Sequence, residues 1–276
     1  MKIPFTKAHG AQNDFLLTWR KDVPERPDHD HHEADHAAIA RAICHRYTGV
    51  GADGWMLVDP PFDSEANGAI QLYNSDGSVA EISGNGTRCA AAFLNYHNLA
   101  KGTVRIRTGA GIKTLRLLAH HGHEYEFEMN MGEPEVTAKS FSLPLSGGAR
   151  DVTLLWVGNP QCAVPVEDFE FDWRAMGAEI ERHAHFPNRT NVSFVKAVDA
   201  HTIDVRFWER GAGETMSSGT GSTGAAAMAI ARGLAQSPVH VLTPAGTLEI
   251  RFETDAYLIG PAELTVQGDF FFEKLG

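Results

Sequence analysis

Apolar and polar positions alternate in short stretches along most of the chain. They are KIPFTKA, DFLLTW, WMLVDP, AIQLYNS, TVRIRT, IKTLRLLA, YEFEMN, TLLWVG, AVPVED, TNVSFVKAV, TIDVRFWE, VHVLTP, TLEIRF and DAYLIG. Gly, Asn, Asp and Pro punctuate them, and a period of two with such punctuation predicts strands. Four segments break the alternation and predict helices. Residues 32–47 carry Ile39, Ile43 and Tyr47 at helical spacing, and 171–184 is amphipathic. Residues 85–99 and 220–234 are rich in small side chains, and each follows a glycine-rich turn. Many strands with few helices predict the α+β class. The strict strand–helix alternation of a dinucleotide-binding sheet is absent.

The two small-residue segments repeat. SGNGTRCAAA from Ser83 aligns with SGTGSTGAAA from Ser218, 135 residues later, about half the chain. The repeat predicts two similar lobes, each with one such turn and one helix. Small side chains suit a helix threaded through a crowded barrel interior, where strands approach closely. The polar run AHHGHE at 119–124 marks a boundary. The expected lobes are 1–122, joined by a returning strand over 265–276, and 123–264.

Composition narrows the functional classes. The 276 residues are 43% hydrophobic and 21% charged, which suits a globular chain. A net charge of −11 argues against nucleic acid as a partner. No basic amphipathic run and no apolar stretch near the ~20 residues of a membrane span is found. The N-terminus MKIPFTKAHGAQNDF lacks the apolar core of a signal peptide. Three cysteines, Cys44, Cys89 and Cys162, make no C-x-x-C. A soluble protein of a reducing cytoplasm is therefore expected.

Several motifs match familiar patterns in the wrong setting. Gly49–Gly54 fits G-x-G-x-x-G but precedes a predicted strand and follows a helix, the reverse of a dinucleotide site. Gly219–Gly224 fits it too, yet a loop rather than a strand comes before it. His32-Glu33-Ala34-Asp35-His36 fits H-E-x-x-H. It lies in the charged run DHDHHEADH with no evident third ligand, so a solvated surface cluster is expected and no metal. The glycine-rich turns carry more chemistry. A helix N-terminus exposes backbone N–H groups and a partial positive charge, so each turn offers an anion site. Ser83 and Ser218 suit the N-cap position there. Capping and a chemical role are compatible in one residue.

Five stretches together resemble the diaminopimelate epimerase family, in that family's order: HGAQNDF (9–15), GVGADG (49–54), NSDGSVAEISGNGTRC (74–89), GNPQCAV (158–164) and ERGAGETMSSGTGSTGAA (209–226), with NVSF (191–194) in support. The resemblance spans essentially the whole chain. It implies two pseudo-symmetric lobes, each a β-barrel-like sheet around a central helix, with the active site between them. It implies an isomerase that needs no pyridoxal phosphate, other cofactor or metal. In this family two cysteines, one at each helix N-terminus, remove and return an α-proton, converting L,L-diaminopimelate to the meso isomer. Homodimers are a further implication.

Carried over by position, Asn13, Asn74, Asn159 and Asn191 match the family's substrate-holding asparagines. Glu209 and Arg210 match the pair that reads the far amino-acid end. Gly84, Asn85, Gly219 and Thr220 match the donors around the reacting carboxylate. The departures fall on the chemistry. Ser83 and Ser218 stand where the family has its two cysteines, Gln161 where it has a histidine, and Gln12 where it has a glycine. A thiol at a helix N-terminus ionises near neutral pH, with a pKa lowered to ~3.5–7.5, whereas a serine hydroxyl needs an adjacent base. Glu209 is the first candidate base, so Ser83, Ser218 and Glu209 are the candidate catalytic set. Glu81, Glu214 and His9 are its nearest rivals by motif. Cys89 lies about two helical turns past Ser83. Cys162 follows Gln161 on a strand and so points to the other face.

Three readings follow from this pattern. The first is an amino-acid epimerase of the diaminopimelate type with a small amino acid or dicarboxylate as substrate. The second is another isomerase or lyase on the same fold, working with one base. The third is a catalytically silent protein that binds an amino acid.

Overall fold

The computed structural model describes residues 1–23 and 32–272, except for the side chains at 32–35. The chain forms two compact units, Met1–Glu128 with Pro261–Gly276, and Met129–Gly260. The polar run at 119–124 ends one strand and turns into the next. The unit limits themselves fall inside strands.

The first unit contains β1 (Lys2–Gly10), β2 (Asn13–Trp19), α1 (His32–Ile43), β3 (Gly54–Asp59), β4 (Gly68–Asn74), β5 (Val79–Ala80), α2 (Gly84–Tyr96), β6 (Thr103–Thr108), β7 (Gly111–His121) and most of β8 (Glu124–Gly132). The second contains β9 (Glu135–Leu143), β10 (Arg150–Trp156), β11 (Pro160–Pro165), α3 (Trp173–Glu181), β12 (Asn191–Asp199), β13 (Thr202–Glu209), β14 (Gly213–Thr215), α4 (Gly219–Ala231), β15 (Val239–Thr243), β16 (Gly246–Phe252) and the start of β17 (Ala256–Phe271). The rest of β17 returns to the first unit and pairs antiparallel with β1, from Lys2↔Phe271 to His9↔Glu263.

The internal repeat is written in the strand pairing. In the first unit β2 and β3 run parallel across the α1 connection, and β3–β4 and β4–β5 are antiparallel. Then β4 and β6 run parallel across α2, and β6–β7 is antiparallel. The second unit repeats each step: β11 and β12 parallel across α3, β12–β13 and β13–β14 antiparallel, β13 and β15 parallel across α4, β15–β16 antiparallel. This is the expected α+β architecture.

The helices divide into two kinds. α1 and α3 lie on the outside. α1 packs Ile39 and Ile43 on Trp55, Leu57 and Tyr73, and α3 packs Trp173 and Ile180 on Val192 and Phe194. α2 and α4 are enclosed. α2 is buried from Asn85 to Leu94, and α4 from Gly221 to Ala229. α2 touches β1, β2, β6 and β7, while α4 touches strands from β9 to β16. A helix ringed this way has no solvent face along its buried stretch, and each carries a run of small residues there, AAA at 90–92 and GAAA at 224–227.

The first helix is shorter than its spacing predicts. It stops at Ile43, and Tyr47 is 94% exposed. The carbonyl of Ile43 accepts the N–H groups of Val50 (2.9 Å) and Gly51 (3.1 Å), which turns the chain away. A Cβ on Gly49 would overlap the Ala42 carbonyl, so only glycine allows this close return. Three strands escape the alternation pattern: the very short β5 and β14, and β9, whose sequence EVTAKSFSL is mostly exposed.

Candidate active site

In the first unit, Ser83 caps α2. Its backbone is extended (φ −133°, ψ 124°), and its Oγ accepts the Gly86 N–H at 3.1 Å. Its carbonyl accepts the Thr87 N–H (2.8 Å) and hydroxyl (2.7 Å). The cap leaves the leading N–H groups, on Gly84 and Asn85, to face a ligand. Asn85 and Asn13 lie side by side, with Asn85 Nδ2 donating to Asn13 Oδ1 at 3.2 Å. Asn13 Nδ2 in turn donates to Asp53 Oδ2 at 2.6 Å. Asp53 also takes Arg46 (2.7 Å), and Arg46 and Lys7 both bind Asp14. Burial pushes the Asp14 carboxyl upward, but the two cations outweigh it and hold it below the ordinary carboxylate range. Asn74 is exposed at the end of β4 and donates to Ser78 Oγ (2.9 Å), not to Asn13.

The β1–β2 turn that presents Asn13 takes the left-handed conformation at Ala11 (φ 51°) and Gln12 (φ 59°). Glycine adopts that conformation without strain.

In the second unit, Ser218 caps α4 with almost the same backbone (φ −139°, ψ 125°), and its Oγ accepts the Gly221 N–H at 3.1 Å. One difference separates the two caps. Ser218 Oγ also donates to Glu209 Oε1 at 2.6 Å. The residue Ser218 is buried, and burial raises the Glu209 carboxyl above its ordinary value, against the opposing pull of the Ser218 bond. Gly221 is part of this geometry, because a Cβ there would lie 2.9 Å from Ser218 Oγ and from the Phe207 ring.

Around this pair, Gln161 Nε2 donates to Asn159 Oδ1 (2.7 Å) and Thr220 Oγ1 (3.2 Å), and Asn159 Nδ2 reaches Thr220 Oγ1 at 3.4 Å. Gln161 Oε1 is buried without a partner. Asn191 accepts the Arg210 N–H at 3.0 Å and donates to the Pro160 carbonyl at 3.1 Å. The turn after β13 is anchored by Glu181 of α3, which sequence reasoning missed. This buried carboxylate accepts Gly211 N–H (2.9 Å) and Trp208 Nε1 (3.1 Å). Burial opposes its ionisation, but these donors and Arg189 hold it below the ordinary range.

The rival bases have other partners or settings. Glu214 is held bidentately by Arg174 (2.6 and 2.7 Å), Glu81 is exposed, and His9 faces Glu263 at 3.2 Å. The thiols do not replace the serines. Cys44, Cys89 and Cys162 are buried and free, and burial pushes each up to about 12. Among the described residues no group of three or more His, Cys, Asp and Glu gathers as for a metal ion. The side chains at 32–35 of the H-E-x-x-H run lie outside the described set. No helix of the described residues is long and apolar enough to cross a membrane.

Thus Asn13, Gly84 and Asn85 gather with Ser83 in one unit, with Asn74 at the end of β4. Asn159, Thr220, Gly219, Glu209, Asn191 and Arg210 lie along one run of contacts around Ser218 in the other. Asp53 and Arg88 were also missed. Arg88 had a legible signal, as the single charge in a segment of small and apolar residues.

The family model for diaminopimelate epimerase matches residues 5–137 and 153–265, which includes both serine caps. A diaminopimelate epimerase of Halothermothrix orenii is 33% identical over 291 residues, covering 99% of this chain and 100% of that one. One of Burkholderia thailandensis is 34% identical, with 97% and 98% covered. Among solved structures, a hydroxyproline epimerase from Agrobacterium vitis, with bound trans-4-hydroxy-L-proline, shares the fold. Its TM-score is 0.74 at 16% identity, over 100% of this chain and 94% of that one. The sequence relatives support an epimerase-type function, and the solved structures show the fold. Matched in sequence almost from end to end, the chain belongs to the diaminopimelate epimerase family.

Proposed function

We propose that this protein is an amino-acid epimerase of the diaminopimelate type that moves its proton through a serine–carboxylate pair instead of a thiol. The observation that carries the reading is the 2.6 Å bond from Ser218 Oγ to Glu209. A serine hydroxyl is a weak base alone and gains that capacity from an adjacent acceptor. Glu209 is such an acceptor, and its raised pKa makes it a stronger base than a free carboxylate.

In the proposed step the substrate α-C–H bond breaks and its proton passes to Ser218 Oγ as the Ser218 proton passes to Glu209. The electron pair stays on the substrate as an enolate. Backbone N–H groups at the start of the helix that Ser218 caps, on Gly219 and Thr220, stabilise the charge on the carboxylate oxygens. A water held at the Ser83 hydroxyl returns a proton to the α-carbon, and the hydroxide left behind is neutralised by the proton that Glu209 releases, which restores the starting state. Arg210, Asn159 and Asn191 bind the distal amino-acid end. The reading uses neither metal nor organic cofactor, and the substrate is a small amino acid or dicarboxylate.

The asymmetry of the caps favours one second reading. Among the described residues Ser83 has no carboxylate as a hydrogen-bond partner, whereas Ser218 has Glu209. A single base suffices for an isomerisation that returns the proton to a different carbon of the substrate.

The pH dependence of α-proton exchange tests the base. Deprotonated Glu209 is the active form, so the rate rises with pH. Its midpoint lies above the ~4.3 of a free glutamate, and Ser218→Ala loses the exchange. A midpoint at the ordinary carboxylate value, with Ser218→Ala as active as the parent, contradicts the assignment.

A further inference from the structure

Arg88 is a cation inside a helix that has no solvent face. It is fully buried, and burial lowers its pKa to about 10. No acidic side chain is among its partners in the described residues. Nε donates to the Pro261 carbonyl (3.0 Å), Nη2 donates to Asn85 Oδ1 (2.5 Å), and Nη1 is buried with no partner. Gly10 makes room for it, since a Cβ there would lie 3.3 Å from Nη2. A buried charge without a counter-ion is costly, so its retention calls for a use.

That use is visible in what Arg88 does to its neighbours. A guanidinium only donates and a carboxylate only accepts, whereas an amide can face either way. Arg88 closes one end of a relay and Asp53 the other. Between them, Arg88 Nη2 fixes Asn85 Oδ1, Asn85 Nδ2 fixes Asn13 Oδ1, and Asn13 Nδ2 reaches Asp53 Oδ2. With a pure donor at one end and a pure acceptor at the other, the two amides have one polarity. Both amide oxygens then face their donors within the relay. What remains on each amide is one N–H.

We propose that Arg88 is a positioning residue that, together with Asp53, turns Asn13 and Asn85 into a donor-only surface for a carboxylate or enolate oxygen and against an ammonium group. The proposal rests on the epimerase reading for its substrate, but the polarity of the surface stands apart from the reaction.

The test uses the intact protein and titration calorimetry with three ligands: L,L-diaminopimelate, pimelate (carboxylates only) and 1,7-diaminoheptane (amines only). The parent should bind pimelate and not the diamine. Asn85→Asp swaps the outward donor for an acceptor while pairing with Arg88. It breaks the bond to Asn13, so its folding is checked by circular dichroism, and it should lose about tenfold or more in affinity for both carboxylate ligands. Arg88→Met should lose a similar factor, and Arg88→Lys, which keeps a donor, should recover most of it. If Arg88→Met does not fold, Asp53→Asn frees the other end of the relay and should weaken binding in the same way. Preference for the diamine, or parent-like carboxylate binding by folded Asn85→Asp, overturns the proposal. Pimelate binding without any binding of diaminopimelate overturns the epimerase reading and leaves the donor surface intact.

Discussion

Glu209→Gln is expected to slow α-proton exchange by about 10²–10⁴-fold, the usual range for losing a positioned acid–base group. Glutamine keeps the length and shape of glutamate and can still accept the Ser218 hydroxyl through its amide oxygen. It cannot take the proton. The loss should therefore appear in kcat, with a smaller change in KM. Stability should move the other way. The folded pKa of Glu209 is raised, so its stabilising effect is full below the unfolded pKa and is lost as pH rises through the folded value. At neutral pH the native state carries a disfavoured, partly desolvated charge, which glutamine removes. Thermal unfolding at neutral pH should show Glu209→Gln at least as stable as the parent, and the difference should vanish below pH ~4. Such an opposition of stability and activity is what a functional desolvated charge produces. A variant that is both inactive and unstable would assign Glu209 a structural role.

The second large effect is a gain. Ser83→Cys/Ser218→Cys should raise the epimerisation rate by about 10²–10⁴-fold over the parent. Both caps have extended backbones and Oγ atoms 3.1 Å from the third N–H of their helix. A thiolate there meets the positive end of the helix, which can lower a thiol pKa to ~3.5–7.5. At neutral pH the double variant holds a real fraction of thiolate, which the serines cannot match. Ser218→Cys alone should gain less, because the return of the proton still depends on Ser83. Steady-state rates with L,L-diaminopimelate, followed by chiral chromatography, measure the gain. A double variant no faster than the parent would mean that the caps are helix termini only.

Much of the fold was legible because burial alternates along its strands. Stretches such as TIDVRFWE bury every second residue, and all fourteen alternating stretches form strands. β9 was not legible, since most of it faces solvent and its residues carry no period. Tyr47 sat at helical spacing by coincidence. Nothing in its own sequence shows that Ile43 gives its carbonyl to the returning loop.

For the site, the serine caps were legible from local chemistry, because Ser followed by Gly-rich small residues is an N-terminal signal. The partnership of Ser218 with Glu209 was not. Nine residues separate them, and only the β13–β14 turn folds the carboxylate back onto the cap. Arg88 shows the same limit. Its charge stands out in the sequence, but its use depends on Asp53 and Asn13, which a parallel pair of strands brings together.

The most direct test is incubation of the unmodified protein with L,L-diaminopimelate in deuterated water, followed by NMR of the α-proton and by the ratio of L,L to meso isomer. Loss of the α-proton signal together with meso product, both absent from Glu209→Gln, is the result this account predicts. No exchange and no epimer from a protein that binds the substrate would contradict it, and would leave a family member that holds an amino acid without moving its proton.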